Sequence, residues 1–311
     1  MPTVCAIFTH FSAKANTLAC LRHLAAQTRR PEHILIINNS DEDDLTDEPA
    51  PVFPSGVLHT LKTGQNLGNA GGCAVGLDYA FGKLGVDFVW VLDDDSWPRP
   101  AALEKLLDCP AEADTVRMSL VIDPAKGDEL SWPLTICAPE GSRHAWRNAL
   151  STVELPEGEL IPSRGGWLGA LYPRAAWERA GVPTGALFIR GEDEEYPWKV
   201  RSAGFRFVTV RSSELMHPSS RLPLLHYTCS GYSFFYEQGM GVSRQYYKVR
   251  NWAWLQRLKH PRGYLRRFAS CMLYAALSLG FMMRTGELTP LRLYTLFRAL
   301  HNGFYGKLRP Y

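Results

Sequence analysis

No C-x-x-C pair occurs among the seven cysteines, which are odd in number and scattered, so neither a disulfide framework nor a zinc knuckle is expected. A reducing, cytosolic setting fits this usage. Charge of one sign is scarcely in excess: 34 Lys and Arg against 31 Asp and Glu leave +3, too little to argue for a nucleic-acid partner. No basic leader or small-residue cleavage site follows Met1, which runs straight into Thr3-Val-Cys-Ala-Ile-Phe8, so a secretory signal is not expected. The longest apolar stretch, about Phe268 to Met283, is interrupted by Ser270, Ser278 and Gly280. It is shorter than the roughly 20 residues a membrane-crossing helix needs and is expected not to span. Internal repeats are missing as well. What is present is ordinary globular composition, 46% hydrophobic and 21% charged over 311 residues. That excludes a disordered or collagenous chain and allows one large α/β domain with an appendage, or two ordinary domains.

Periodicity supplies the organisation. Val4 to Phe8 is β-branched and apolar, and Leu18, Leu21, Leu24 and Ala25 recur at helical spacing between Asn16 and Gln27. After the helix-breaking Pro31, the continuous apolar run from His33 to Asn38 is typical of a parallel strand covered on both faces. An acidic, Pro-rich loop follows (Asp41 to Pro54), then a strand at Val57 to Leu61, a helix at Gly71 to Phe81 and a strand at Asp87 to Leu92. Strands at Thr115 to Val121 and Phe207 to Val210, with helices near Ala101 to Leu107, Arg174 to Ala180 and Glu194 to Ala203, continue the alternation. The expected class is α/β with a doubly wound sheet. Beyond Leu225 the chain turns helical in pattern, basic and aromatic, which predicts a catalytic domain over 1–225, divided near 95, and a helical region over 226–311.

Asp93-Asp94-Asp95 ends the apolar Phe88 to Leu92 run, at the carboxyl end of a predicted strand where open α/β sheets bind ligands. In an extended segment Asp93 and Asp95 point the same way and can address one divalent cation, while Asp94 faces elsewhere. The bland alternative is a helix cap, since Asp95 or Ser96 precedes Pro98 and Pro100. An aspartyl-phosphate phosphatase is disfavoured because Trp97 stands where a small residue belongs. The loop Gln65 to Gly72 is glycine-rich but matches neither G-x-G-x-x-G nor a P-loop, so it reads as a phosphate cradle or as a simple turn into a helix. In Gly191-Glu-Asp-Glu-Glu-Tyr196, Glu192 or Asp193 is placed as a general base, against the alternative of a solvated acidic first helical turn. His217, after a strand-like segment, either completes a metal site or serves as a structural histidine.

The order of these pieces resembles the inverting nucleotide-sugar transferases of glycosyltransferase family two. The resemblance runs through Gln27-Thr28, Ile36 to Ser40, Asn66 to Gly72, Trp90 to Asp95, Gly166-Trp167, Glu192 to Tyr196, His217 and Tyr246-Tyr-Lys-Val-Arg-Asn251. Within the family it is similar to the bacterial galactofuranosyl- and rhamnosyltransferase branch. It implies a GT-A fold, a Rossmann-like, doubly wound mixed sheet, here with a C-terminal helical extension. It further implies a metal site of Asp93, Asp95 and His217, Asp193 as catalytic base, donor contacts at Asn38, Asn66, Gly71, Asp93 and Asp94, and acceptor contacts at Trp167, Glu192 and Glu195. The chain departs from the family pattern with Asn38 in place of an Asp and Gly191 in place of a Trp.

The implied activity is metal-dependent, inverting transfer of a sugar to a growing, lipid-linked bacterial surface glycan, leaning to galactofuranose from UDP-galactofuranose, with rhamnose from dTDP-rhamnose as the alternative. A catalytically silent GT-A-like glycan-binding subunit is the rival from another class. Oxygen ligands suit Mg²⁺ or Mn²⁺, and one imidazole favours Mn²⁺. The Arg-flanked apolar C-terminal segment is read as a peripheral contact with the inner face of the cytoplasmic membrane, against packing on the core or on a second copy in a homo-oligomer.

Overall fold

The computed structural model describes all residues except 41–50, 52, 139, 141, 143, 144, 220, 221, 230 and 231. Most of the acidic loop expected at Asp41 to Pro54 therefore lies outside the described residues. The chain divides into two compact units, one of Met1–Gly185 with Asp193–Ser219, the other of Ala186–Glu192 with Ser220–Tyr311.

The first unit opens with β1 (Val4–His10), α1 (Lys14–Ala25), β2 (His33–Asn38), β3 (Leu58–Lys62), α2 (Gly68–Asp78), β4 (Phe88–Val91), β5 (Trp97–Pro98) and α3 (Ala102–Asp108). It continues with β6 (Thr115–Ile122), β7 (Glu129–Cys137), β8 (Trp146–Ser151), β9 (Leu160–Ser163), β10 (Ala170–Pro173), α4 (Arg174–Ala180), α5 (Glu192–Ser202) and β11 (Arg206–Met216). The sheet order is β3-β2-β1-β4-β10-β6-β11-β9-β7-β8, with β5 paired to β11. Strands β3, β2, β1 and β4 are mutually parallel, whereas β10 runs antiparallel between β4 and β6. Alternating side chains serve two cores: Val4, Ala6 and Phe8 pack with Leu21 and Leu103, while Cys5 and Ile7 pack with Cys73 and Leu77. A sheet covered on both faces explains why the parallel strands read as continuous apolar runs. Strands β2 and β4 flank β1 on opposite sides, which puts the switch point, where open α/β sheets bind ligands, at the carboxyl ends of β1 and β4.

The second unit contains the hairpin β12 (Leu224–Cys229) and β13 (Tyr232–Glu237), followed by α6 (Val242–Lys259), α7 (Tyr264–Thr285) and α8 (Pro290–Phe304). Gly303 is required where α8 crosses α6, since a Cβ there would strike the Arg250 carbonyl and stand 2.7 Å from Ala253 Cβ. The apolar stretch from Phe268 to Met283 lies inside α7, which is longer than the stretch itself. Tyr264 to Arg267 and Arg284-Thr285 belong to the same helix, making 22 residues, long and apolar enough by length and composition to cross a bilayer.

Candidate active site

Strand β4 delivers the aspartates. Its last turn is locked by Ser96, whose Oγ accepts the Asp93 N–H (3.1 Å) and donates to the Asp93 carbonyl (2.7 Å). Ser96 therefore closes a turn, and among the described residues it caps no helix by its side chain. His217 follows the end of β11, its N–H donating to the Ile122 carbonyl (3.1 Å) and its own carbonyl accepting Ser131 Oγ (2.7 Å). These two anchors bring the imidazole onto the aspartates: His217 Nε2 lies 3.0 Å from Asp95 Oδ1 and 4.0 Å from Asp93 Oδ2. One ligand atom from each of Asp93, Asp95 and His217 falls within 4.8 Å of the others.

The electrostatics show unbalanced negative charge. Burial pushes the Asp93 carboxyl up to about 6, against the pull of His217 and with added repulsion from Asp95 and Asp193. Asp94 is pushed up to about 7 by burial, with Asp95 and Asp93 adding to the rise. Burial alone would lower His217, but its hydrogen bond to Asp95 and the charges of Asp95 and Asp93 outweigh that and raise it. Two carboxylates and an imidazole converging on one point form a donor set suited to a divalent cation, which would relieve this repulsion.

Asp193 is exposed in the first turn of α5, near enough for its charge to act on Asp93. Glu192, beside it in sequence, is 5% exposed. Three sequence-based assignments meet a different environment. Trp167, expected on the acceptor, is 3% exposed and packs among Tyr172 and Tyr196 in the core. Glu195 is fully buried, with Oε1 accepting Thr184 Oγ (2.8 Å) and pairing with Lys199 Nζ (2.6 Å), so it braces α5 and offers no acceptor contact. Gly71, expected to approach the donor, is buried, and a Cβ there would stand 2.8 Å from Leu67 Cβ.

Helix contacts likewise account for the rest of the glycine-rich loop. A Cβ on Gly72 would stand 2.6 Å from Thr9 Cγ2, and one on Gly76 2.7 Å from Ile37 Cδ1, so these glycines let α2 lie directly on β1 and β2. Asn66 Oδ1 accepts the Gly68 N–H (2.8 Å) at the turn into α2. Asn38 Oδ1 accepts the Ser40 N–H (2.8 Å) at the end of β2. Two residues went unnoticed in the sequence. Asn39 ties β2 to α2 through Nδ2 donating to the Gly68 carbonyl (3.0 Å). Trp132 on β7, 43% exposed, places its ring 5.4 Å from His217. Asn39 lies inside the Ile36 to Ser40 segment without a role of its own there, and Trp132 reaches the site only through pairing of distant strands.

Residues 5–154 match the family described as glycosyl transferase family 2. That match covers just under half of the chain. It is similar to the galactofuranosyltransferase GlfT1 of Mycolicibacterium smegmatis, 27% identical over 225 residues that make up 69% of this chain and 70% of that protein. It is also similar to galactofuranosyltransferase GlfT1 of Mycobacterium tuberculosis, 30% identical over 201 residues, 63% of each chain. The chain thus spans somewhat under two thirds of the latter relative. In fold it resembles the crystal structure of GalNAc-T7 with UDP, GalNAc and Mn²⁺, with a TM-score of 0.58 and 16% identity over 83% of this chain and 48% of that one. The shared fold is GT-A.

Proposed function

We propose that this chain transfers galactofuranose from UDP-galactofuranose to a hydroxyl of a growing glycan, with inversion at the anomeric carbon. The observation that carries the reading is the convergence of Asp93, Asp95 and His217 at the carboxyl end of β4, in a chain similar to galactofuranosyltransferases. The catalytic domain in this reading is 1–225, and the acceptor is a lipid-linked surface glycan.

A divalent ion, Mn²⁺ or Mg²⁺, held by Asp93, Asp95 and His217 would neutralise charge gathering on the diphosphate leaving group. Asp193 takes the proton from the acceptor hydroxyl as that oxygen attacks the anomeric carbon from the face opposite the diphosphate. One bond forms and one breaks, so the configuration inverts. An exposed carboxylate whose charge reaches Asp93 supports this role, because it stands open to an acceptor beside the site proposed for the diphosphate. Trp132 offers an apolar ring face beside His217 on which a sugar ring can rest.

The test supplies UDP-galactofuranose, and dTDP-rhamnose in parallel, with Mn²⁺ and an acceptor glycan, and reads the anomeric configuration of the product by NMR. An inverted galactofuranoside supports the proposal. A rhamnoside alone, a retained configuration, or binding of glycan without transfer from either donor contradicts it.

A further inference from the structure

Of the 21 large hydrophobic side chains that the described residues leave exposed, 13 fall between Tyr264 and Tyr311. On α7, Leu265, Ala269, Met272, Ala276, Gly280 and Met283 recur every three to four residues and are all exposed. Leu265 is 80% exposed and Met283 64%. No charged residue occurs between Arg267 and Arg284. The opposite side of α7 is already occupied, Tyr274 lying 4.2 Å from the Trp252 ring on α6 and 4.9 Å from the Phe234 ring on β13. The helix therefore lies along its own unit with an apolar face turned outward, the reverse of a surface helix in water.

Helix α8 repeats the pattern with Leu291, Tyr294 and Phe297 exposed while Thr295, Leu296 and Ala299 are buried. The two helices meet at Phe304, whose ring lies 5.2 Å from that of Tyr264 and 6.4 Å from that of Phe268. The exposed aromatics at the start of α7 thus adjoin those at the end of α8.

Charge decides what covers this surface. From residue 257 onward there are ten Lys and Arg and a single acid, Glu287. That acid is engaged by Tyr236 OH (2.7 Å), the Gly239 N–H (2.8 Å) and Arg292 (3.4 Å). Arg262, Arg266 and Arg284 stand exposed at the two ends of the apolar stripe. A protein-binding patch is ordinarily rimmed by mixed polar groups. Apolar and aromatic side chains bounded by cations alone suit the boundary between acyl chains and phosphate headgroups, where arginine stems can reach outward.

We propose that the outward faces of α7 and α8 form a docking surface for an anionic lipid bilayer, on which the helices lie parallel to the membrane plane. This proposal stands independently of the sugar and of the chemistry at Asp93.

The experiment floats the purified full-length chain with phosphatidylcholine vesicles with and without phosphatidylglycerol, at low and high salt. Binding is expected to the anionic vesicles at low salt and to fall at high salt. Replacing Arg262, Arg266 and Arg284 by Gln is expected to lower the partition coefficient by about 10²-fold, at about five-fold per basic group. Leu265→Gln with Met272→Gln is expected to lower it as well without shifting the thermal melt, because both side chains are exposed. Failure to bind anionic vesicles at low salt overturns the proposal. So does binding unaffected by either set of substitutions, and so does attachment that survives high salt and an alkaline wash, which marks a spanning helix. A dimer that Met272→Gln splits, measured by light scattering without lipid, assigns the face to a second copy and also overturns it.

Discussion

Tyr196 stands edge-on to Trp167, their ring centroids 5.5 Å apart and their planes at 76°. Tyr196 also donates through its hydroxyl to the Gly181 carbonyl (3.0 Å), and it lies one helical turn beyond Asp193 on α5. The tryptophan expected to hold the acceptor therefore anchors, through Tyr196, the helix that presents Asp193.

Trp167→Ala removes a buried indole from this aromatic cluster. A loss of about 3–5 kcal/mol of stability is expected, read by denaturant unfolding. An unchanged unfolding curve with a raised acceptor KM would return Trp167 to the acceptor.

Asp193→Asn keeps size and removes the proton acceptor. Transfer is expected to fall by about 10²- to 10⁴-fold with donor affinity retained, measured by initial rates and donor titration. If Asp193→Asn stays active and Glu192→Gln does not, the base is the neighbouring carboxylate.

Asp94 gives a pH signature in metal-free protein. Its ordinary value is 3.8 and the fold raises it to about 7. Between those values the folded chain holds a proton that the unfolded chain has released, so this contribution is fully present below the lower value and is lost as pH rises through the upper one. Asp94→Asn cannot ionise. In chelator it is expected to melt above the parent on the alkaline side of this window and level with it on the acid side, by calorimetry. Equal melting throughout would show that Asp94 is solvated.

Asn251 is fully buried on α6 and its Nδ2 donates to the carbonyls of Leu187 (2.9 Å), Ile189 (3.0 Å) and Arg190, while Oδ1 accepts Arg250 Nε (2.8 Å). Phe188 and Arg190 both have positive φ, 68° and 67°, so this segment needs external support. Asn251→Ala takes this partner from the Ile189 and Arg190 carbonyls and from Arg250 Nε, and is expected to cost about 1–3 kcal/mol, seen in chemical denaturation. Retained stability would mean that Arg250, donating to the Ala186 and Leu187 carbonyls, suffices.

The parallel half of the sheet was legible because β1, β2 and β4 are covered on both faces and so carry unbroken apolar runs. Strands β7, β8 and β9 were not. Trp132, Pro133, Arg147 and Pro162 interrupt them, and their identity as strands comes from pairing across the chain. Asp93, Asp95 and His217 were readable as candidates because each follows a strand, and the turn at Ser96 that aims the aspartates required tertiary structure. Trp167 misled because a tryptophan after Gly165-Gly166 looks the same in sequence whether it faces a cleft or fills a core. The glycines of α2 left two readings open, since close helix-to-sheet packing and phosphate binding both demand a missing Cβ.

The cluster of Asp93, Asp95 and His217 is proposed to support metal-dependent sugar transfer. Release of UDP from UDP-galactofuranose in the presence of acceptor, followed in EDTA and after Mn²⁺ is restored, tests it most directly. EDTA is expected to stop turnover, Mn²⁺ to restore it in the parent chain, and Asp95→Ala to stay inactive while remaining folded. Full turnover in EDTA, or by folded Asp95→Ala, would contradict it.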